Sequence, residues 1–288
     1  MIDGGFRENT YGAKYFSEQD FPSNDYEVIW VEYFSQPNAE VLKNSKIRVI
    51  TLNREDIYHS SFCFNRGIYE AKGELLVIPD ADQIVYPDFL SRIWALHSQY
   101  DKLAVYCYRY DEISRNSLKS FDFEELEKKC ILKNPLNYGG CLTVRKKWML
   151  ELNGYEQHPI FGTGYHANGL DIYTRFKNLG LAIRWEPTLK IFHPWHAFTL
   201  MPNKIYDSQK KLIEWRKKNI QWTALEGLDS SKNFTPSTTL QNILEKELNY
   251  LNKGISSDIA RLFCNQASSF KKMVNELIAI LKFYYSPT

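Results

Sequence analysis

The sequence predicts an α/β domain with a mostly parallel sheet flanked by helices, followed by a helical extension. Three observations carry that prediction. Short apolar runs alternate with longer segments of helical period over residues 1–202, and beyond Pro202 the helical period continues to the end. A composition of 44% hydrophobic and 24% charged residues over 288 positions excludes disordered, collagen-like and disulfide-stapled chains and leaves enough apolar mass for a large core. The longest uninterrupted apolar stretch, near 277–281, is far shorter than the ~18 residues of a membrane span.

The strands are expected at Glu27–Glu32, Ile47–Leu52, Glu74–Pro79, Leu103–Tyr108 and Gly140–Val144, each an apolar, β-branched run closed by polar residues. Asp56–Lys72 and Pro87–Tyr100 carry helix-spaced apolar positions, the second opening on a proline whose missing N–H is harmless in a first turn. Helical crossovers between strands imply parallel pairing. A further helix, Asp171–Leu179, stops at Gly180 as a left-handed C-cap, and Leu181–Trp185 and Leu189–His193 read as two short strands. Asp229–Thr239, rich in Ser, Thr and Asn, reads as a linker. In the last segment Phe270, Met273, Val274, Leu277, Ile278, Leu281 and Tyr285 share a face opposite Lys271, Lys272, Asn275, Glu276 and Lys282. Such a helix either makes a peripheral membrane contact or packs against protein. The expected division is therefore 1–202 and 203–288.

Met1–Gly5 lacks a secretory pattern, and the cysteines at 63, 107, 130, 141 and 264 show neither metal-ligand nor paired spacing, so a cytoplasmic setting is expected, with the inner face of the membrane as the variant the last helix allows. Formal net charge is +2. It is uneven: 13 basic against 8 acidic residues follow Pro202, against 23 and 26 before it. That excess fits an anionic surface or ordinary solvated charge, and without a basic motif it does not point to nucleic acid.

In open α/β sheets ligands lie outside the carboxyl ends of the strands, so acids that close apolar runs are the first candidates. Val28–Val31 ends in Glu32, and Leu75–Pro79 ends in Asp80-Ala81-Asp82. Two carboxylates one residue apart on extended backbone point the same way and can grip one hard cation, Mn²⁺ or Mg²⁺, which also takes diphosphate oxygens. The plain alternative is a turn before the Pro87 helix.

The run Asn65-Arg66-Gly67-Ile68-Tyr69-Glu70-Ala71-Lys72-Gly73-Glu74 through Asp82 resembles the segment leading into the DxD motif of GT-A-fold glycosyltransferases, particularly the inverting family 2. Asn137–Trp148 and Asn153–Glu156 resemble the acceptor-side half that family 2 shares with lactose-synthase-type galactosyltransferases, and Ile191-Phe192-His193-Pro194-Trp195-His196 follows in order. The resemblance spans about residues 6 to 200. It implies metal-dependent inverting transfer of a sugar from a nucleotide-sugar donor, UDP-linked, to a glycan or glycolipid acceptor, as in polysaccharide biosynthesis. It implies donor contacts at Asp3, Glu32, Asn65, Arg66, Asp80, Ala81 and Asp82, metal ligands at Asp80, Asp82 and His193, with His196 a weaker candidate, and acceptor or sugar contacts at Gly140, Trp148, Tyr155 and Tyr165. Phe161 falls at such a position too. Arginines that reach phosphate and arginines locked in ion pairs remain alternatives for Arg66 and Arg175.

The chain departs from that pattern twice. The family's opening strand and nucleotide loop are missing before Asp3, as in a fragment or a late start. The family's catalytic Asp position is Gly169, between Asn168 and Leu170. Three readings stay open: Asp171 serves as base if the loop shifts, His166 substitutes, or a degenerate domain binds nucleotide or glycan as a partner or regulator without transferring.

Overall fold

The computed structural model describes residues 2–3, 9–34, 39–56, 58–161, 167–196, 203–253, 274–275 and 277–281. The first three strands, β1 (Ile2–Asp3), β2 (Val28–Glu32) and β3 (Ile47–Thr51), pair in parallel. Ile2 stands opposite Trp30 and Asp3 opposite Val31, so two residues of strand occupy the place beside β2 that the sequence pattern left without one. Helices α1 (Tyr11–Ser17), α2 (Ala39–Leu42) and α3 (Ser60–Glu70) make the crossovers.

A second sheet takes the rest of the strands. In chain order these are β4 (Leu75–Pro79), β5 (Ile84–Val85), then after α4 (Phe89–Gln99) β6 (Leu103–Glu112), then after α5 (Phe123–Lys129) β7 (Cys130–Ile131) and β8 (Cys141–Arg145). Helices α6 (Lys146–Glu151) and α7 (Asn168–Leu179) lead to β9 (Ala182–His193). The spatial order is β4-β8-β6-β9-β5, with β7 on β6. The parallel pairing expected of the α/β sheet is found in β1-β2-β3 and between β6 and β9, while β8 runs antiparallel to both β4 and β6. The reason is local, because β7 folds back antiparallel on the end of β6 and the chain re-enters the sheet without a full helical crossover.

Burial explains the apolar runs. Every residue of β2 is buried, and alternate side chains feed opposite faces of the sheet: Ile29 and Val31 join Ile68, Ile78 and Tyr106, while Val28 and Trp30 join Phe89, Ile93 and Val105. The two short strands expected at 181–185 and 189–193 are one strand, interrupted where Glu186 pairs with Cys107 but Lys190 pairs with Tyr108. Pro187, which cannot donate to a ladder, lies in that bulge. Gly180 caps α7 at φ 80°, as its sequence position predicts.

The extension is built into the body. Helices α8 (Asn203–Asn219) and α9 (Thr238–Leu251) enclose a core in which Leu212, Ile213, Leu240 and Leu244 meet Ile160, Phe161 and Ala167. The 229–239 segment is tied down rather than loose. Asn153 donates to Asp229 O at 3.0 Å, Phe234 N donates to Ala224 O at 2.8 Å, and Ser237 caps α9. Among the described residues of the last segment Ala279 and Ile280 are buried, whereas Ile278 and Leu281, on the apolar face, are 38% and 41% exposed. Among the described residues no helix is long and apolar enough to cross a membrane.

Candidate active site

The carboxyl end of β9 is clamped between two strands. On one side β6 runs parallel in a register that sets Asp111 opposite His193, and on the other β5 runs antiparallel with Ile84 opposite Phe192. This brings the Asp80-Ala81-Asp82 turn, which precedes β5, against the His193 end of β9. Asp82 Oδ2 lies 3.6 Å from His193 Nε2 and 3.3 Å from His196 Nε2, and the two imidazole nitrogens lie 3.2 Å apart. Ligands held ~2.1 Å from one ion stand ~3.0 to 3.4 Å from each other, so one carboxylate and two imidazoles fit three sites around a divalent cation.

The surroundings prepare that set. Asp111 Oδ1 lies 2.9 Å from His193 Nδ1 and carries its own ion pair with Arg109 at 2.9 Å. Burial alone raises the Asp111 carboxyl, but its hydrogen bond to His193 and the Arg109 charge outweigh it and hold the group below its ordinary value. An ionised carboxylate only accepts, so Nδ1 donates, and in the neutral ring Nε2 then presents a lone pair, the arrangement of carboxylate–histidine–metal triads. His193 stands above its ordinary value, because Asp111 and Asp82 outweigh the burial that lowers it. The neighbouring Glu112, 4% exposed, accepts Trp195 N at 2.7 Å and Leu118 N at 3.0 Å, which pins the segment bearing His196.

The turn itself is fixed by backbone. Gly12 N donates to Ala81 O at 2.8 Å, and a Cβ on Gly12 would stand 2.8 Å from that same oxygen, so only glycine lets α1 approach so closely. Asp80 N donates to Gly140 O at 3.3 Å, and Gln83 Nε2 donates to that carbonyl and to Asp80 Oδ2. Asp80, Ala81, Asp82, Gly140 and His193 are thus brought together as the sequence suggests. The three side chains whose ligand atoms lie within 4.8 Å of one another are Asp82, His193 and His196.

The other expected residues have structural partners. Asn65 is buried and clasps both backbone groups of Tyr155, with Nδ2 to Tyr155 O at 2.9 Å and Tyr155 N to Oδ1 at 2.7 Å. Arg66 is ion-paired with Glu70 on the surface of α3 and lines, with Arg54 and Tyr69, a depression of about 310 Å³ that contains none of the three ligands. Trp148 donates its indole N–H to Asp101 O, at the opposite end of β6 from Asp111. Tyr155 is buried with its ring stacked on Phe64 at 4.7 Å, and burial followed by the Asp80 charge pushes its phenol up. Glu32 is buried and accepts the Trp30 indole N–H at 2.7 Å, so it is no solvated strand end. Phe161 is core. The Asp3 side chain, Tyr165 and His166 lie outside the described residues.

Asp171, expected as a candidate base, sits in a buried ion-pair cluster. It is 1% exposed, with Arg216 Nη1 at 2.8 Å from Oδ1 and 2.9 Å from Oδ2, and Arg175 Nη1 at 3.3 Å. A carboxylate held by two guanidiniums in the core cannot reach an acceptor hydroxyl. Arg175 is likewise fully buried, donating to Trp222 O and Leu152 O rather than facing a phosphate.

Gly169 packs on backbone. A Cβ there would come within 2.6 Å of the Tyr138 carbonyl carbon and 3.0 Å of Gly139 N. Gly169→Asp is therefore expected to cost about 3 kcal/mol through overpacking, read as a lowered melting temperature, and to yield no gain in transfer. An unchanged melting temperature with new transfer activity would contradict this.

Gly12, Asp111 and Glu112 escaped the sequence reading. The signal for the two acids was the one used for Asp82, an acid closing an apolar run. It was missed because the strand was ended at Tyr108 rather than Glu112.

Residues 17–152 match the family model described as glycosyl transferase family 2. No curated protein sequence matches the chain. Among solved structures, S. aureus TarS is similar with a TM-score of 0.58 at 12% identity, over 98% of this chain and 47% of that one, so the chain spans about half of TarS. A TarS 1-349 structure in complex with UDP gives 0.58 at 12%, over 98% and 79%. GalNAc-T7 with UDP, GalNAc and Mn²⁺ gives 0.53 at 13%, over 99% and 57%. The chain accordingly has the GT-A fold of the glycosyltransferases, and over residues 17–152 it is like glycosyl transferase family 2.

Proposed function

We propose that the protein is a metal-dependent glycosyltransferase that moves a sugar from a UDP-linked donor to a glycan or glycolipid acceptor with inversion. The observation that carries this reading is the Asp82, His193 and His196 cluster at the carboxyl end of β9, beside the turn that bears Asp80. The similar TarS and GalNAc-T7 structures, with UDP and with UDP, GalNAc and Mn²⁺, support the donor class. Two imidazoles and one carboxylate suit Mn²⁺ better than the oxygen-seeking Mg²⁺. When bound, the cation supplies charge stabilisation for the departing diphosphate. Asp82, His193 and His196 hold it, Asp111 fixes the His193 tautomer, and Glu112 keeps the His196 segment in place. Asp80 stays in this proposal as a donor-side carboxylate.

The proton acceptor is assigned to His166, since Gly169 has no side chain and Asp171 is sealed in ion pairs. The close packing of Gly169 on Tyr138 and Gly139 favours a second reading, a degenerate domain that binds nucleotide without transfer. Purified protein incubated with Mn²⁺ and a panel of sugar nucleotides separates the two. Release of UDP above the rate of a metal-free control supports the enzyme; Mn²⁺-dependent binding without release supports the binding domain.

A further inference from the structure

Beside the cation cluster the second sheet ends in an apolar lip. Asp111 stands opposite His193 of β9 on one side and opposite Ile131 of β7 on the other, and Ile113 N donates to Lys129 O at 2.9 Å. Residues opposed across a ladder share a face of the sheet, and so does every second residue of one strand, so Ile113, Lys129 and Ile131 lie on the face that carries Asp111 and His193. Both isoleucines are open to solvent, at 48% and 45% exposure. The turn after β7, in which Leu136 N donates to Asn134 Oδ1 at 3.1 Å, adds Leu132 at 36% and Leu136 at 53%. Trp195, between the two histidines in sequence, is 38% exposed. Five large apolar side chains along one edge of a site exceed the scattered exposure of an ordinary surface.

The lip is held open by its own hydrogen bonds. One oxygen of Glu112 accepts Trp195 N, the other accepts Ser117 Oγ and the amides of Ser117 and Leu118, and Lys133 Nζ donates to the carbonyls of Glu112 and Ile113. The charges restrict the partner. Arg115 stacks on the Trp195 ring at 4.8 Å, and among the described residues neither Arg115 nor Lys129 is paired with a carboxylate. The acids of this stretch belong to α5, which packs through Leu126 with Phe192, on the opposite face from His193. Protein interfaces are depleted in lysine. Tryptophan and aliphatic side chains interleaved with free cations suit the headgroup layer of an anionic bilayer, where rings and stems enter the boundary and the cations stay among the phosphates.

We propose that this lip docks the protein on an anionic membrane surface, with Ile113, Ile131, Leu136 and Trp195 at the headgroup boundary and the cation cluster turned toward the lipid. An acceptor met in that orientation is lipid-anchored, a consequence that rests on the sugar-transfer reading. The docking itself does not.

The test is sedimentation of the full chain with vesicles of phosphatidylcholine and phosphatidylglycerol, with phosphatidylcholine vesicles as the neutral control and neither cation nor sugar nucleotide present. Expected are affinity for the anionic vesicles at least about tenfold above the neutral ones, weakening with added salt, and slowed amide exchange within 131–137 on the vesicle. The double variant Ile113→Thr with Ile131→Thr keeps β-branched side chains at both positions, so its melting temperature should stay unchanged while its vesicle affinity falls at least about tenfold. Absence of sedimentation, equal affinity for the neutral vesicles, equal affinity of the variant, or a lipid-free dimer that the variant abolishes would each overturn docking, the last by making a second copy the occupant. Because the assay holds neither metal nor donor, its failure leaves the sugar-transfer reading standing, and a failure to release UDP leaves docking standing.

Discussion

Asp82→Ala is expected to abolish Mn²⁺-dependent UDP binding, with affinity for the ion itself falling at least about a hundredfold, or ~2.7 kcal/mol. The carboxylate is the one negatively charged member of a set whose other members can hold a cation only as neutral imidazoles, so its loss removes the charge that compensates a divalent ion. Loss of a group that only orients a ligand typically costs ~10- to 100-fold, and a direct ligand should exceed that. Folding should survive, because the variant deletes a buried acid rather than an apolar contact, and an unchanged melting temperature checks this. Asp80→Ala supplies the contrast. Asp80 stands outside the trio with its Oδ2 accepting from Gln83, so ion binding without nucleotide should be less affected than in Asp82→Ala. Calorimetry that found Mn²⁺-dependent UDP binding intact in Asp82→Ala would remove the basis of the metal assignment.

How far the site was legible follows from the range of the interactions that build it. Asp80, Ala81 and Asp82 are contiguous and close an apolar strand, and the His193–His196 spacing is local, so both halves were visible in the sequence. Their juxtaposition depends on β9 inserting between β6 and β5, a long-range register that no local pattern encodes. The strands and Gly180 were legible for the same reason, since period and capping are local properties. What misled was contiguity to a family pattern without packing. Asn65, Arg175 and Asp171 occupy expected positions, yet the backbone of Tyr155, the carbonyls of Trp222 and Leu152, and Arg216 of helix α8 take up their polar groups. Helix α8 enters the chain only after these residues, and nothing in their own neighbourhood announces Arg216.

Arg216→Ala is expected to lower unfolding free energy by about 3 to 5 kcal/mol, because it leaves buried carboxylates without their partner. Arg216 and Arg175 from α8 and α7 meet Asp171 and Glu156 at 0% or 1% side-chain exposure, a balanced set of two cations and two anions. Burial works against the charged forms of Arg175, Asp171 and Glu156. It brings Arg175 down to about 10 and raises Asp171 against the pull of both arginines. Glu156 moves the other way: burial raises it, but Arg216, Arg175 and the amides of Leu225 and Glu226 hold it below its ordinary value. A carboxyl depressed in the folded state contributes stability that is complete above its unfolded pKa of ~4.5 and is lost as pH falls through the folded value. In Arg216→Ala that contribution shrinks, so the loss relative to the parent should be largest near neutral pH and narrow in acid. Urea unfolding of parent and variant at pH 7 and pH 4 measures it. Asp171→Asn then separates structure from catalysis: a lowered midpoint with Mn²⁺–UDP binding and UDP release retained fits a clamp between α7 and α8. Lost release at full stability would return Asp171 to the reaction.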